Sequence, residues 1–380
     1  MAFFRKKRLW WIALWVGFCA AVQAAEVKDP EVPEAIHSEK GWEENPSDKV
    51  KKAVKRTRGF FGTIGYLLND LDTNYVSPNR YNFTVMVENS LWHEYYHLAD
   101  AEKAISFTPS IQYKIGPYIG WSFLFLGWSF DIRALLGQGN GEKRTEFSLN
   151  LYSSIVGGDL YFRKSGSAFR LHDLEGFGEK FDEEFDEEVN GFSVDIKGAD
   201  VYYVFNHRRF SYPAAYSQST NQKRSAGSFI AGLSFSDHNL KLDDGLLPKP
   251  IRDSLVGRPL DFEEIHYSDY SISFGYAYNW VFARNCLLNV SLTPAVAYKE
   301  SRLESEEQRT FTFRKVNFDF IARAALTWNN GKYYVGASWV YNDFNYRTEH
   351  FNLRNGFGIA RLYTGFNFGL KKKYRRSQRL

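Results

Sequence analysis

The sequence predicts an all-β protein, an antiparallel up-and-down transmembrane β-barrel of about twelve strands preceded by an N-terminal periplasmic segment. Three observations predict it. From Tyr81 almost to the C-terminus, apolar and polar residues alternate with a period of two. Many of these stretches exceed the roughly 9–11 residues that cross a bilayer at a steep tilt, whereas sandwich strands usually run about 5–6. The connections between them alternate short and long, the asymmetry of outer-membrane barrels, whose short turns face the periplasm.

Residues 1–25 read as a signal peptide rather than as fold. Arg5, Lys6, Lys7 and Arg8 form a basic start, Leu9 to Val22 carries no charge, and Ala20 to Ala25 ends in small residues that suit cleavage. The whole chain is +4, and those four basic residues account for it, so the mature chain is near neutral and nucleic acid is not an expected partner. Cys286 is the one cysteine left after Cys19 is removed, which excludes an internal disulfide and a multi-thiolate zinc site. The chain holds 33 Phe, 24 Tyr and 10 Trp at a mean hydropathy of −0.42; a barrel with aromatic girdles needs such residues, and a large soluble core can also bury them.

Residues 26–80 read as a partly disordered periplasmic segment, with charge and proline from Glu26 to Pro46 and six basic residues from Lys49 to Arg58. The barrel is expected over 81–371, followed by a basic tail over 372–380. Its clearest strand is Tyr267 to Phe282, with Tyr270, Ile272, Phe274, Tyr276, Tyr278, Trp280 and Phe282 on one face and Asp269, Ser271, Ser273, Gly275, Ala277 and Asn279 on the other. The same division recurs around Leu288–Lys299, Asn317–Trp328 and Arg361–Leu370, and further strands are expected near 82–97, 105–114, 117–131, 145–153, 156–164, 191–206, 227–240 and 332–346. Tight turns are expected at 115–117, 154–155, 283–285 and 329–331, and long loops at 132–144, 165–190, 241–266 and 301–313. The connection from His207 to Ala226 is long where the pattern asks for a short one. An uncharged run, Ile115 to Phe130, reads as a strand pair and not as a membrane helix, being short and broken by Pro117.

The run Asp72-Thr73-Asn74-Tyr75 followed by Tyr81 to Met86, and the central Phe205 to Pro213 leading to Ser225-Ala226-Gly227-Ser228, resemble domain-of-unknown-function family 4421 over roughly residues 65–370. The resemblance implies an outer-membrane barrel of a Gram-negative bacterium, the family being one of anaerobes, and offers no catalytic residues to carry over.

Candidate sites lie mainly on the polar strand faces. Asp159, Arg163, Asp269, Lys299, Asp319, Arg323 and Arg361 are the expected lumen-lining charges, as a selectivity lining or as a ladder that fills the barrel. In the long connection, His207, Arg208, Arg209, Ser211 and Tyr212 are candidates for a periplasmic anion-binding or plug segment. His93-Glu94-Tyr95-Tyr96-His97 matches H-E-x-x-H, but strand spacing would put the histidines ~13 Å apart, too far for one metal. The acidic stretch Asp173–Glu188 fits a solvated external loop. No catalytic residue, cofactor or metal is expected.

Three functions stay open at this point: a narrow channel or small-solute transporter first, then a non-conducting structural or docking barrel, then a lipid-modifying enzyme. Expected partners are outer-membrane lipids and the barrel-insertion machinery that reads the closing strand Gly358–Leu370. An acidic periplasmic partner or anionic head groups would suit the basic flanks Lys49–Arg58 and Lys371–Arg379.

Overall fold

A computed structural model describes residues 71–371 and Tyr374, apart from 110–111, 122–123, 128–129, 133–144, 166–167, 179–185, 244, 246, 259, 261, 305–310 and 348–351. The chain divides between Asp70 and Leu71, and the described residues all belong to the second unit, Leu71–Leu380. The expected signal peptide, the basic run Lys49–Arg58 and most of the basic tail lie outside the described residues.

In chain order the second unit holds β1 (Val76–Pro78), β2 (Tyr81–Ala99), β3 (Ala104–Pro109), β4 (Gln112–Trp121), β5 (Leu124–Gly127), β6 (Phe130–Asp131), β7 (Thr145–Tyr152), β8 (Val156–Lys164), β9 (Ala168–Glu175), β10 (Asp186–Asn190) and β11 (Phe192–Val204). Then come α1 (Tyr212–Tyr216), β12 (Thr220–Gln222), β13 (Ala226–Leu242), α2 (Lys249–Leu255), β14 (Glu264–Ala283), β15 (Cys286–Glu304), β16 (Phe311–Asn329), β17 (Tyr333–Arg347) and β18 (Asn352–Leu370). No helix among the described residues is long and apolar enough to cross a membrane.

All pairings are antiparallel. The main sheet has 16 strands where the sequence predicts about twelve. The surplus has a physical origin. β3, β9 and β10 form a branch beyond the far end of β2, and β6 lies on the same side of β4 as β5, residues 128–129 between them being outside the described residues. The remaining strands form a ring of pairings: β2 bonds to β18 on one side and β4 on the other, and the path β4, β5, β7, β8, β11, β13 through β18 returns to β2. Its thinnest seam is β5, which pairs over four residues with β4 and over three with β7.

The alternation read from the sequence becomes an inside-out distribution. Ile272, Phe274, Leu292, Val316 and Leu362 are exposed, and Phe318 is 76% exposed, while Asn279 and Asn289 are 0% exposed. A water-soluble sheet would bury the first set and hydrate the second. This outward face matches a lipid solvent, and the polar face encloses an interior.

Turns at Arg284–Asn285 and near Gly331 link β14 to β15 and β16 to β17, with Asn285 (φ 64°) and Gly331 (φ 92°) taking the left-handed backbone that tight turns require. These turns define the turn end; the opposite end is the loop end. Two expectations fail here. Ile115-Gly116-Pro117 is not a turn but the middle of β4, paired with Asn89, Glu88 and Val87, and the chain reverses after Trp121. The 165–190 connection is not a bare loop: it folds as the β9–β10 hairpin, because Phe169, Leu171 and Val189 add a buried face. They join Tyr96, Leu98, Phe107, Phe192, Leu240, Ile251, Tyr267 and Leu353 in an apolar cluster at the loop end, to which α2 also contributes.

Candidate functional site in the barrel interior

Residues 205–225 leave the end of β11 and fold into the interior at the turn end. Ser211, extended at φ −130°, caps α1 by accepting from the Ala214 amide at 3.3 Å, and Pro213 suits the first turn because its missing N–H has no partner to lose. Four of the five helix residues are buried. The Tyr212 hydroxyl lies 2.7 Å from Ser291 Oγ, and Tyr216 donates to Asn289 Oδ1 at 2.6 Å. Gln218, left-handed at φ 58°, donates from Nε2 to Tyr363 Oη at 3.0 Å and Thr327 Oγ1 at 3.2 Å, and accepts from Asn329 Nδ2 at 3.0 Å. Asn279 Nδ2 donates to the Ser211 carbonyl at 2.9 Å and to Gln222 Oε1 at 3.0 Å. The segment is thus fastened to the inner faces of β14, β15, β16 and β18. β12 then pairs with β1, which adds residues 76–78 to the same assembly.

Beyond this plug, the interior carries paired charges. Lys299 is 0% exposed, with Nζ 3.1 Å from Asp269 and 3.0 Å from Asp319, and it also donates to the Asn345 carbonyl at 3.3 Å. Arg163 meets Glu94 at 3.2 Å and lies over the rings of Phe357 and Trp92 at 4.0 and 4.3 Å. Arg361 meets Glu88 at 3.1 Å. Arg323 and Asp159 are 3.8 Å apart, a looser ion pair, and Arg323 faces the Tyr202 and Tyr212 rings. A low-dielectric wall makes such pairs strong and an unpaired charge costly, which is why the cations and anions come together. Between plug and loop-end cluster lies a cavity of about 90 Å³, lined by Asp159, Arg163, Asp200, Asp319, Arg323 and Arg361 among others, and floored on one side by Tyr216. It has room for several waters.

The structure places all seven lumen candidates in this interior. The five residues of the long connection are not brought together. Arg208 and Arg209 are exposed and His207 is half-buried at the turn end, whereas Ser211 and Tyr212 are buried in the plug. Arg209 lies 3.7 Å from Asp72 and over the Tyr75 ring. The Ser211 hydroxyl is taken by its capping role and by Thr220 Oγ1 at 2.7 Å. Sequence reasoning missed Glu88 and Glu94 as partners of Arg361 and Arg163; both sit at even positions of β2, in phase with the buried Tyr96 and Leu98, and that phase was the available signal. The same phase splits the H-E-x-x-H pentapeptide, with Glu94 inward against Arg163 and His93 and His97 on the opposite face rather than in the mouth of the lumen. His97 Nδ1 instead lies 3.0 Å from Ser106 Oγ.

A family model described as Domain of unknown function (DUF4421) matches residues 70–368. No curated protein matches the chain. Among solved structures, the outer membrane protease OmpT from Escherichia coli is similar at 9% identity and a TM-score of 0.35, covering 78% of this chain and 100% of that one. The translocator domain of autotransporter NalP from Neisseria meningitidis is similar at 10% identity and a TM-score of 0.34, covering 85% and 96%. The outer membrane protein OprG from Pseudomonas aeruginosa follows at 6% identity and a TM-score of 0.25, covering 77% and 98%.

Proposed function

The chain belongs to the DUF4421 family, and we propose that it is an outer-membrane β-barrel of a Gram-negative bacterium that rests sealed by its own residues 205–225 and works as a membrane-embedded scaffold, not as an open pore. One observation carries this reading: the plug is held to four wall strands by buried side-chain hydrogen bonds, at the end opposite a buried apolar cluster. A diffusion channel needs a continuous wet path, and both ends of this lumen are occupied. The paired charges then serve to fill and stiffen the interior. By the usual orientation of such barrels, the turn end and its plug face the periplasm.

A gated channel is the second reading, favoured by the charged cavity between the plug and the loop-end cluster. Planar-bilayer recordings separate the two. The sealed scaffold predicts no steady conductance from the refolded wild type, and openings in a Tyr212→Ala/Gln218→Ala variant. Steady wild-type conductance that Arg323→Ala shifts in ion preference would establish the channel instead.

A further inference from the structure

The turn end is strongly basic. Its described residues include Arg80, Arg284, Lys332 and Lys371 on the rim, and Arg208, Arg209, Lys223 and Arg224 on the plug, while Asp72 is the one acid among the described residues there, already beside Arg209. The rim cations sit at strand ends. Lys332 lies in the β16–β17 turn, Lys371 follows β18, Arg80 precedes β2, and Arg284 lies in the β14–β15 turn. Lys371 and Arg80 are neighbours along the rim, joined by a backbone hydrogen bond of 2.9 Å.

Immediately inward from this rim, the outer wall carries an exposed aromatic band that includes Phe83, Trp121, Phe282, Trp328, Tyr333 and Phe368. Aromatic girdles of this kind sit at the level of lipid head groups, where the ring bodies are in hydrocarbon and the edges meet water. The cations therefore stand one step beyond the acyl region, at phosphate depth. Among the described residues the loop end lacks this one-sided charge: there Asp173, Glu175, Asp186, Glu187 and Glu188 stand among basic residues such as Arg170.

We infer that the rim arc Arg284–Lys332–Lys371–Arg80 is a binding surface for the phosphate groups of anionic phospholipids in the leaflet at the turn end. The inference rests on the barrel spanning a membrane, but not on its being sealed. Arg and Lys near an anionic surface gain attraction that decays within a Debye length. The lipid, rather than a soluble partner, is favoured because the arc follows the lipid-facing perimeter.

The test refolds the wild type and an Arg80→Ser/Arg284→Ser/Lys332→Ser/Lys371→Ser variant into vesicles of neutral phosphatidylcholine, with or without phosphatidylglycerol. The readout is the temperature at which the heat-modifiable gel shift is lost. The wild-type midpoint should rise by several degrees with phosphatidylglycerol, less so at high salt, and the variant should show the same midpoint in both lipids. If the quadruple variant does not fold, the exposed-turn pair Arg284→Ser/Lys332→Ser should lose about half the rise. A wild-type midpoint indifferent to lipid charge overturns the inference, as does a variant that keeps the full rise. Stabilisation by soluble polyglutamate but not by phosphatidylglycerol would assign the arc to an acidic polypeptide and equally overturn it. Failure of the wild type to enter either vesicle would instead count against the barrel reading itself.

Discussion

Tyr216 donates its hydroxyl hydrogen to Asn289 Oδ1 at 2.6 Å, tying a five-residue helix to the inner wall of β15. Asn289 is wholly buried, and its amide group donates in turn to Asn279 Oδ1 at 2.7 Å. The plug is therefore part of the wall's own polar network and not a loop resting in a hole. Removing it strands buried acceptors.

The first prediction follows from that network. Tyr216→Phe leaves a buried amide oxygen without its donor, which costs about 1–3 kcal/mol. Urea unfolding in detergent should show the loss, and Tyr216→Phe/Asn289→Leu should lose more, because it also takes the donor from the buried Asn279 Oδ1.

A second prediction concerns Lys299, flanked by two carboxylates at 3.1 and 3.0 Å. Lys299→Met leaves two buried anions facing each other, a loss of about 3–5 kcal/mol. Asp269→Asn should cost less, because Asp319 still pairs with the ammonium. Equal losses for the two variants would show that the cluster is not organised around the lysine.

The outer face is tested by charge. Ile272 is 67% exposed in β14, and arginine there would cost about 2–4 kcal/mol if the position lies near the bilayer midplane. In a water-soluble sheet the same Ile272→Arg change would be nearly neutral. Refolding yield into vesicles distinguishes them.

Acid should loosen the β9–β10 hairpin. Arg170 bonds Asp186 through both guanidinium and carboxylate forks, and that hydrogen bonding holds the Asp186 carboxyl below its ordinary range. A depressed folded-state pKa contributes stability above the unfolded value, and the contribution is lost as pH falls through the folded one. The pair is exposed, so the effect is local. Amide exchange over 168–190 should quicken below the normal carboxylate range, and Arg170→Gln should remove that dependence on pH.

Much of the barrel was legible because lipid-facing strands show their period openly. Tyr270 to Phe282 alternates with Asp269 to Asn279, and the burial follows position by position. The β4–β6 region was misread because Pro117 looks like a turn residue, yet it occupies a strand and pairs with Val87. The β9–β10 hairpin was hidden by acidic residues on its solvent face, although Phe169, Leu171 and Val189 were there to read. The seven interior charges were legible as a set. Their partners were not, since pairing Arg361 with Glu88 and Arg163 with Glu94 needs the β18–β2 and across-lumen geometry that no single strand encodes. The plug was visible as an over-long connection, but its polar side chains resemble those of any solvated loop.

The most direct measurement is a cross-link between plug and wall. Ala215 of α1 and Ala325 of β16 belong to one buried cluster with Leu287. In a Cys286→Ser background, Ala215→Cys/Ala325→Cys should be bridged by a short thiol cross-linker in the folded, membrane-embedded protein, while a bulky maleimide added to the same sample labels neither position. Free labelling of both cysteines with no bridge formed would contradict the sealed barrel.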